Sequence, residues 1–404
     1  MKNGKWLALL MAVLLLPVFR PALAEQEEIT VTVGGKYMFG NEKTYTIARP
    51  ELIEAVRREL SAAVPAEAPE QKHSSFDIQL SLKGETAALY YDDLYCMTYM
   101  EKEGQFYQMD GAFGAKLAYP AHLWLETAGP DFSVSEENAA FLKQWGWTPF
   151  FTLAETSVML PEKLTASIAD EADLYFTWAD LFLRQAGFDL TPWLGKEVSV
   201  SIVGLWENAE RSRFVARDLE RDIHVTSNLR CVLLRAEGEI IGGFIAVGRH
   251  NGEWMMSLDG KTALDLLDTD DPTAYLISHA SLTEQEKVLA QAAPEEVVCR
   301  YMETAPGELA VFTPRAQLLS ELAANMNDDK LFVTWEEQLA IQLYWLELDG
   351  EEIGFPTAAA SVEAMREENV YRVITDQGAD WYVFLVWESD ETGWKVKACY
   401  DDYV

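Results

Sequence analysis

Hydrophobic and polar positions change period several times along the chain, and each change marks an element. Ile29, Val31 and Val33 alternate with Thr30 and Thr32, the period of a half-buried strand, and Gly34-Gly35 turns it. After Pro50 the apolar residues Leu52, Val56, Leu60 and Val64 recur every fourth position with Ile53 beside them, which predicts an amphipathic helix over 51–64. Residues 65–75 (PAEAPEQKHSS) hold two prolines and no period, the composition of a surface loop. Apolar-alternating runs at 76–82, 87–91, 95–100 and 106–109 are separated by Lys83-Gly84-Glu85 and Lys102-Glu103-Gly104. They predict an antiparallel meander.

Gly129-Pro130 marks a boundary, and Ser133-Val134-Ser135-Glu136 has the form of a capping box, in which the serine and glutamate satisfy each other's backbone amides. It opens a short helix through Phe141, Leu142 and Trp145 that stops at Gly146, followed by a strand over 154–160 ending at Pro161. A second helix over 170–186 aligns Leu174, Trp178, Leu181 and Phe182, with Gly187 as its stop. Strands follow at 197–203, 229–234 and 240–247, the last two joined by a tight turn at 235–239. The charged insertion 207–222 reads as an exposed loop or surface helix.

From Leu282 the capping boxes Thr283 to Glu286 and Thr334 to Glu337 predict helices at 284–303 and 335–347, with another at 314–326 between them. Strands at 370–374, 381–387 and 394–400 close the chain. In the middle one, Trp381, Val383, Leu385 and Trp387 line one face and Tyr382, Phe384 and Val386 the other, so a strand covered on both sides is expected. The fold class is α+β, in three small domains at 25–130, 131–270 and 282–404, each an antiparallel sheet with packed helices.

The first 24 residues have another logic. Lys2 and Lys5 precede an apolar run over 6–19, Arg20 closes it, and Ala22-Leu23-Ala24 supplies a small-x-small cleavage site. This predicts a signal peptide cleaved after Ala24 and a secreted or extracytoplasmic chain. The run is too short to cross a hydrocarbon core of ~30 Å as a helix, so no membrane span is expected after cleavage.

Charge sharpens the picture. The formal net charge is −34; cleavage would remove three of the 32 basic residues and none of the 66 acids. A field of that sign disfavours nucleic acid and anionic lipid and favours cations or basic surfaces. The four cysteines, Cys96, Cys231, Cys299 and Cys399, suit an exported chain with up to two disulfides, Cys299 with Cys399 being the first pair expected because they share a domain. Their spacing matches no zinc motif.

Two resemblances follow from specific residues. The stretch Phe141-Leu-Lys-Gln-Trp-Gly-Trp147, Pro161, Gln185-Ala-Gly-Phe-Asp-Leu190, Leu194-Gly-Lys196 and Gly238-Glu-Ile-Ile-Gly-Gly243 resembles an uncharacterised domain of exported proteins from Gram-positive bacteria. It departs from that pattern in the insertion at 207–222 and in Phe244, where a polar residue is more usual. The resemblance implies a compartment and no chemistry. The C-terminal order of helices and then a meander ending in Gly-Trp-Lys-Val looks like the cone-shaped fold of the nuclear-transport-factor-two and ketosteroid-isomerase group, which carries catalysis, binding or assembly alike.

Candidate chemistry is sparse. His73, His122, His224, His250 and His279 stand apart, with none at metal-site spacing, and read as surface or capping residues. Gly34-Gly35-Lys36 and Gly242-Gly243 read as turns or close packing instead of phosphate cradles. Asp92-Asp93, Glu101 and Glu103, and Asp268, Asp270 and Asp271, are the carboxylates nearest to a paired acid/base arrangement. The run Asp265 to Asp271 offers oxygen ligands for calcium but lacks the glycine and glutamate of an EF-hand loop, so it reads as a solvated acidic loop. Thirteen tryptophans fall mostly on core stripes, not on a sugar-stacking surface. No catalytic, cofactor or metal residues are assigned. The chain reads as a secreted, non-catalytic binding or interaction protein at the cell envelope, its partner an envelope component or extracellular protein. The alternative is a secreted hydrolase of wall or extracellular polymer using paired carboxylates.

Overall fold

A computed structural model describes residues 27–68, 75–92, 96–123, 129–166, 171–210, 226–247, 255–267, 273–304, 309, 311–315, 359–365, 369–375 and 378–400. The strands form three antiparallel sheets with helices packed on them, an α+β architecture. The chain divides into two compact units, one of residues 1–92 and 97–117, the other of residues 93–96 and 118–404.

The first unit holds a sheet of order β2-β1-β4-β5-β6-β7-β3. Its strands are β1 (Ile29–Gly34), β2 (Lys43–Ile47), β3 (Val64–Ala66), β4 (Phe76–Leu82), β5 (Glu85–Asp92), β6 (Met97–Lys102) and β7 (Gln105–Met109). Lys83-Gly84 and Glu103-Gly104 have positive φ at both positions, as two-residue hairpin turns matched to strand twist require. Helix α1 (Pro50–Ser61) buries Leu52, Ile53 and Val56 but stops short of the expected Val64. Pro65 disfavours helical backbone at the residue before it, so Val64 turns outward and Val64–Ala66 becomes an edge strand on β7. The expected loop at 65–75 therefore begins as a strand, and residues 69–74 lie outside the described residues.

Helix α2 (Gly111–Leu123) was not expected. It is apolar around its circumference and buried, so it carries no amphipathic period. Gly114 lets it lie against the sheet, since a Cβ there would fall 2.7 Å from the Tyr91 Cβ.

In the second unit the middle sheet takes the order β12-β11-β10-β9-β8. It is built from β8 (Pro149–Met159), β9 (Glu197–Glu210), β10 (Thr226–Ala236), β11 (Glu239–Val247) and β12 (Met255–Met256). Helix α3 (Glu136–Gln144) covers one face, where Phe141 and Leu142 join Leu233, Ile245 and Leu258. Helix α4 (Glu171–Gln185) covers the other, with Tyr175 5.9 Å from Phe244 and Leu183 against Gly242. The Gly242-Gly243 pair thus admits a helix side chain on each face. Phe244, the departure from the resemblance, is fully buried beneath α4. The cap of α3 is Ser135, whose Oγ accepts from the Asn138 amide, and not Ser133, which donates to Asp131 instead. β9 and β10 run through residues 207–210 and 226–228, so the charged insertion is strand at its start; residues 211–225 lie outside the described residues. Short helices α5 (Ala263–Leu267) and α6 (Thr273–Ser278) follow β12.

The C-terminal sheet takes the order β13-β14-β15-β16, from β13 (Ala359–Ala364), β14 (Val370–Thr375), β15 (Asp380–Ser389) and β16 (Gly393–Tyr400). The single helix expected at 284–303 is two, α7 (Glu284–Leu289) and α8 (Pro294–Glu303), because Pro294 cannot continue a helix and instead starts the second. The Thr283 to Glu286 capping box forms in full. The helix expected at 314–326, beyond Arg315, and the helix expected at 335–347 with the Thr334 box lie outside the described residues. β15 is an interior strand with one closed face: Val383 and Leu385 are buried, Tyr382, Phe384 and Val386 are half-buried, and Trp387 is 47% exposed.

Candidate binding groove on the middle sheet

The apolar pattern of β8 changes along its length. Pro149 to Leu153 are buried, whereas Glu155, Ser157 and Met159 are exposed. Antiparallel register sets Glu155 opposite Ser201 and Ser157 opposite Ser199 on β9, and Ser199 opposite Arg235 on β10. These positions share the face that α3 covers farther along, and the helix ends before reaching them. An open groove of about 740 Å³ results, walled by Ser135, Glu137 and Asn138 at the start of α3 and floored by Glu155, Thr156, Ser157, Ser199, Ser201 and Arg235.

The groove's polar groups divide into those already engaged and those that are not. Arg235 donates to Glu137 at 2.7 Å and to the Asn138 Oδ1 at 2.5 Å, which fixes its guanidinium against the helix. Ser157 donates to Glu197 at 2.8 Å. Among the described residues, no hydrogen bond or ion pair engages the side chains of Glu155, Thr156, Ser199 or Ser201. The floor therefore offers the exposed hydroxyl of Ser199 and the exposed carboxylate of Glu155, with Ser201 buried beneath them, beside an arginine held in place. Such groups recognise polar or cationic side chains by hydrogen bonds from a preformed surface.

β8 is also the outer strand of its sheet. At one end Thr152 exchanges backbone hydrogen bonds with Asp131 at 2.6 and 2.8 Å on its outer side, and at the other Leu160 donates to Lys196 at 3.0 Å on the β9 side. Between them, Ala154–Met159 pairs only with β9 among the described residues. Asp131 accepts from the amide and hydroxyl of Ser133, which hold its carboxyl below the usual carboxylate range.

A second concave surface lies between α7, α8 and the turn at 311–312, a cleft of about 480 Å³ with Val288, Leu289, Val311 and Phe312 in its walls. Behind it sits a buried ionic cluster. Glu286 receives Arg315 at 3.3 Å and Lys395 at 3.8 Å, all three nearly inaccessible. Lys395 also donates to the Val311 carbonyl at 2.6 Å, and the Arg315 amide donates to Glu388. Burial pulls the Lys395 ammonium below the usual lysine range, and Glu286 and Glu388 oppose that pull.

The residues singled out from sequence do not converge. Glu101 accepts from Tyr90 at 3.0 Å in the first sheet, Glu103 sits in a hairpin turn, Asp92 ends β5, and Asp93 lies outside the described residues. Asp265 accepts from the Thr262 amide at 2.8 Å, and Asp268, Asp270 and Asp271 lie outside the described residues. His279 is an exposed residue whose ring lies tilted against Tyr275 with centroids 4.3 Å apart, His122 lies in the last turn of α2, and His73, His224 and His250 fall outside the described residues. No group of three or more His, Cys, Asp or Glu among the described residues is placed to hold a metal ion.

The expected Cys299–Cys399 disulfide is not formed, and all four cysteines stand as thiols. Cys399 meets Tyr301, while Cys299 lies among Glu295, Glu296 and Glu303 of its own helix. Two residues apart on α8, positions 299 and 301 point about 160° apart around the axis, so the strand that meets one misses the other. Sequence reasoning missed the groove itself. Its signal is the polar alternation Glu155, Ser157 following an all-apolar start to the same strand.

Fold and groove together define an α+β protein of several antiparallel sheets with an open polar groove on the middle one. Residues 141–245, which include most of that face, match the family model of a domain of unknown function, DUF4830. No curated protein and no solved structure matches the chain. Among the described residues, no helix is long and apolar enough to cross a membrane.

Proposed function

We propose that this chain is an exported, non-catalytic binding protein of the Gram-positive cell envelope, and that the groove on the middle sheet is its binding surface. The observation that carries the reading is the preformed floor with exposed, unengaged Glu155 and Ser199 beside the fixed Arg235. The leader pattern of residues 1–24 and the net charge of −34 support export and a partner that is neutral or basic. The C-terminal order of helices and meander supports a cone-shaped fold of the nuclear-transport-factor-two type for that region.

A thermal-shift titration of residues 25–404 against wall-derived glycans, wall peptides and basic proteins tests the reading. A saturating ligand at ~100 times its dissociation constant adds about 2.7 kcal/mol. The shift is expected with one class of probe and is lost in Ser199→Trp, which fills the groove from an exposed position. A shift unchanged in that variant moves the site elsewhere. Turnover of wall polymer by the purified chain would replace the reading with hydrolysis.

A further inference from the structure

The long outer strand of the middle sheet leaves half of its edge unpaired among the described residues. A sheet edge presents unpaired amides and carbonyls that pair with any strand able to reach them, so proteins shorten, bulge, cover or charge their edges. The far edge of this sheet, β12, is two residues long. β8 is eleven residues, and its first half is closed by register shifts near Pro149 and Thr152 and by the Asp131 bridge. The second half, Ala154–Met159, has a regular register to β9 and no second partner among the described residues. At 3.3 Å per residue it offers about 20 Å of edge.

We propose that this edge takes an extended, lysine- or arginine-rich segment of a partner protein as a sixth strand, with alternate side chains entering the groove. The inference rests on the binding reading above and names the partner's chemistry. Strand addition draws affinity from main-chain hydrogen bonds and specificity from places for every second side chain, and here the groove lies directly beside the edge. Charge selects the partner. Glu155 on the edge strand and Glu197 beside it have no cation within ion-pairing distance among the described residues, while the groove's arginine is already held by Glu137. An acidic strand would meet those carboxylates unscreened, and a second copy of a chain carrying −34 is repelled at long range. Exposed Met159, at 59%, gives the added strand an apolar neighbour at the end of the edge.

The test is a fluorescence-anisotropy titration of the chain from residue 25 to 404 with a short labelled peptide alternating lysine and threonine. Two controls run beside it: the same peptide N-methylated on every backbone amide, which leaves neither edge able to donate, and a glutamate-threonine counterpart. The lysine peptide binds, each control loses tenfold or more, and Glu155→Lys weakens the lysine peptide about tenfold without changing thermal stability. Equal binding of the N-methylated peptide overturns strand addition and leaves the groove reading standing. Binding of the glutamate peptide overturns the charge assignment. No peptide binding, with a glycan shift that Ser199→Trp abolishes, removes this inference alone; no response to peptide or glycan removes both. Sedimentation as a dimer whose 154–159 amides are protected would make the partner a second copy and overturn the basic-partner claim.

Discussion

Two outer strands of the second unit handle their edges differently. β16, eight residues long, turns Lys395 into the core of its own sheet, where Glu286 and the Val311 carbonyl take it up. An inward-pointing lysine on an outer strand is a known guard against unwanted pairing, since an added strand must leave that charge satisfied. β8, at eleven residues, has no such lysine; its charge, Glu155, faces an open groove. The first unit shows the guarded pattern again, with the three-residue β3 carrying Pro65 at its edge. One long outer strand without a guard, beside a polar groove, reads as a surface kept for a partner.

The largest way to break this contrast is to remove the guard. Lys395→Met leaves Glu286 short of a buried counter-charge and frees the Val311 carbonyl, and is expected to cost about 3 kcal/mol in denaturant unfolding followed by tryptophan fluorescence. Glu155→Gln, on the exposed edge, stays within about 0.5 kcal/mol of the parent. Similar losses from both would erase the distinction.

Gly204→Ala strikes where β8 and β9 begin to pair. Its Cβ would fall 2.3 Å from the Phe151 ring, and overpacking of that kind costs about 2 kcal/mol in the same assay. Thr283→Ala removes the cap of α7 and one hydroxyl bond to Glu286, for about 1 kcal/mol.

The smallest effect is one of pH. Hydrogen bonds from Arg372 hold the Asp380 carboxyl below its ordinary value of 3.8. A lowered carboxylate contributes stability above the unfolded pKa and loses it as pH falls through the folded one. Arg372→Gln should therefore lower stability slightly at neutral pH, with the difference from the parent shrinking below about pH 4 and vanishing once Asp380 is protonated in both.

Much of the fold was legible because burial on one face writes a period. Leu52, Ile53 and Val56 gave α1, and Thr283 with Glu286 gave the start of α7. α2 was illegible for the opposite reason: buried all round and rich in Ala and Gly, it has no polar face to set a phase. Pro65 cut short an apolar period that ran up to it, and Pro294 split one that ran through it. The groove was illegible because Glu155, Ser199 and Arg235 come from three separate strands and meet only through register. Lys395 was illegible too, since a lysine in an alternating strand reads as exposed until its neighbours are known.

The measurement closest to the central claim is amide hydrogen exchange of the chain from residue 25 to 404, alone and with the alternating lysine-threonine peptide. The account predicts fast exchange at alternate amides within Ala154–Met159 in the free chain and slowing confined to that stretch and the groove wall when the peptide is present. Slow exchange there in the free chain, or protection that appears elsewhere and leaves β8 unchanged, would contradict it.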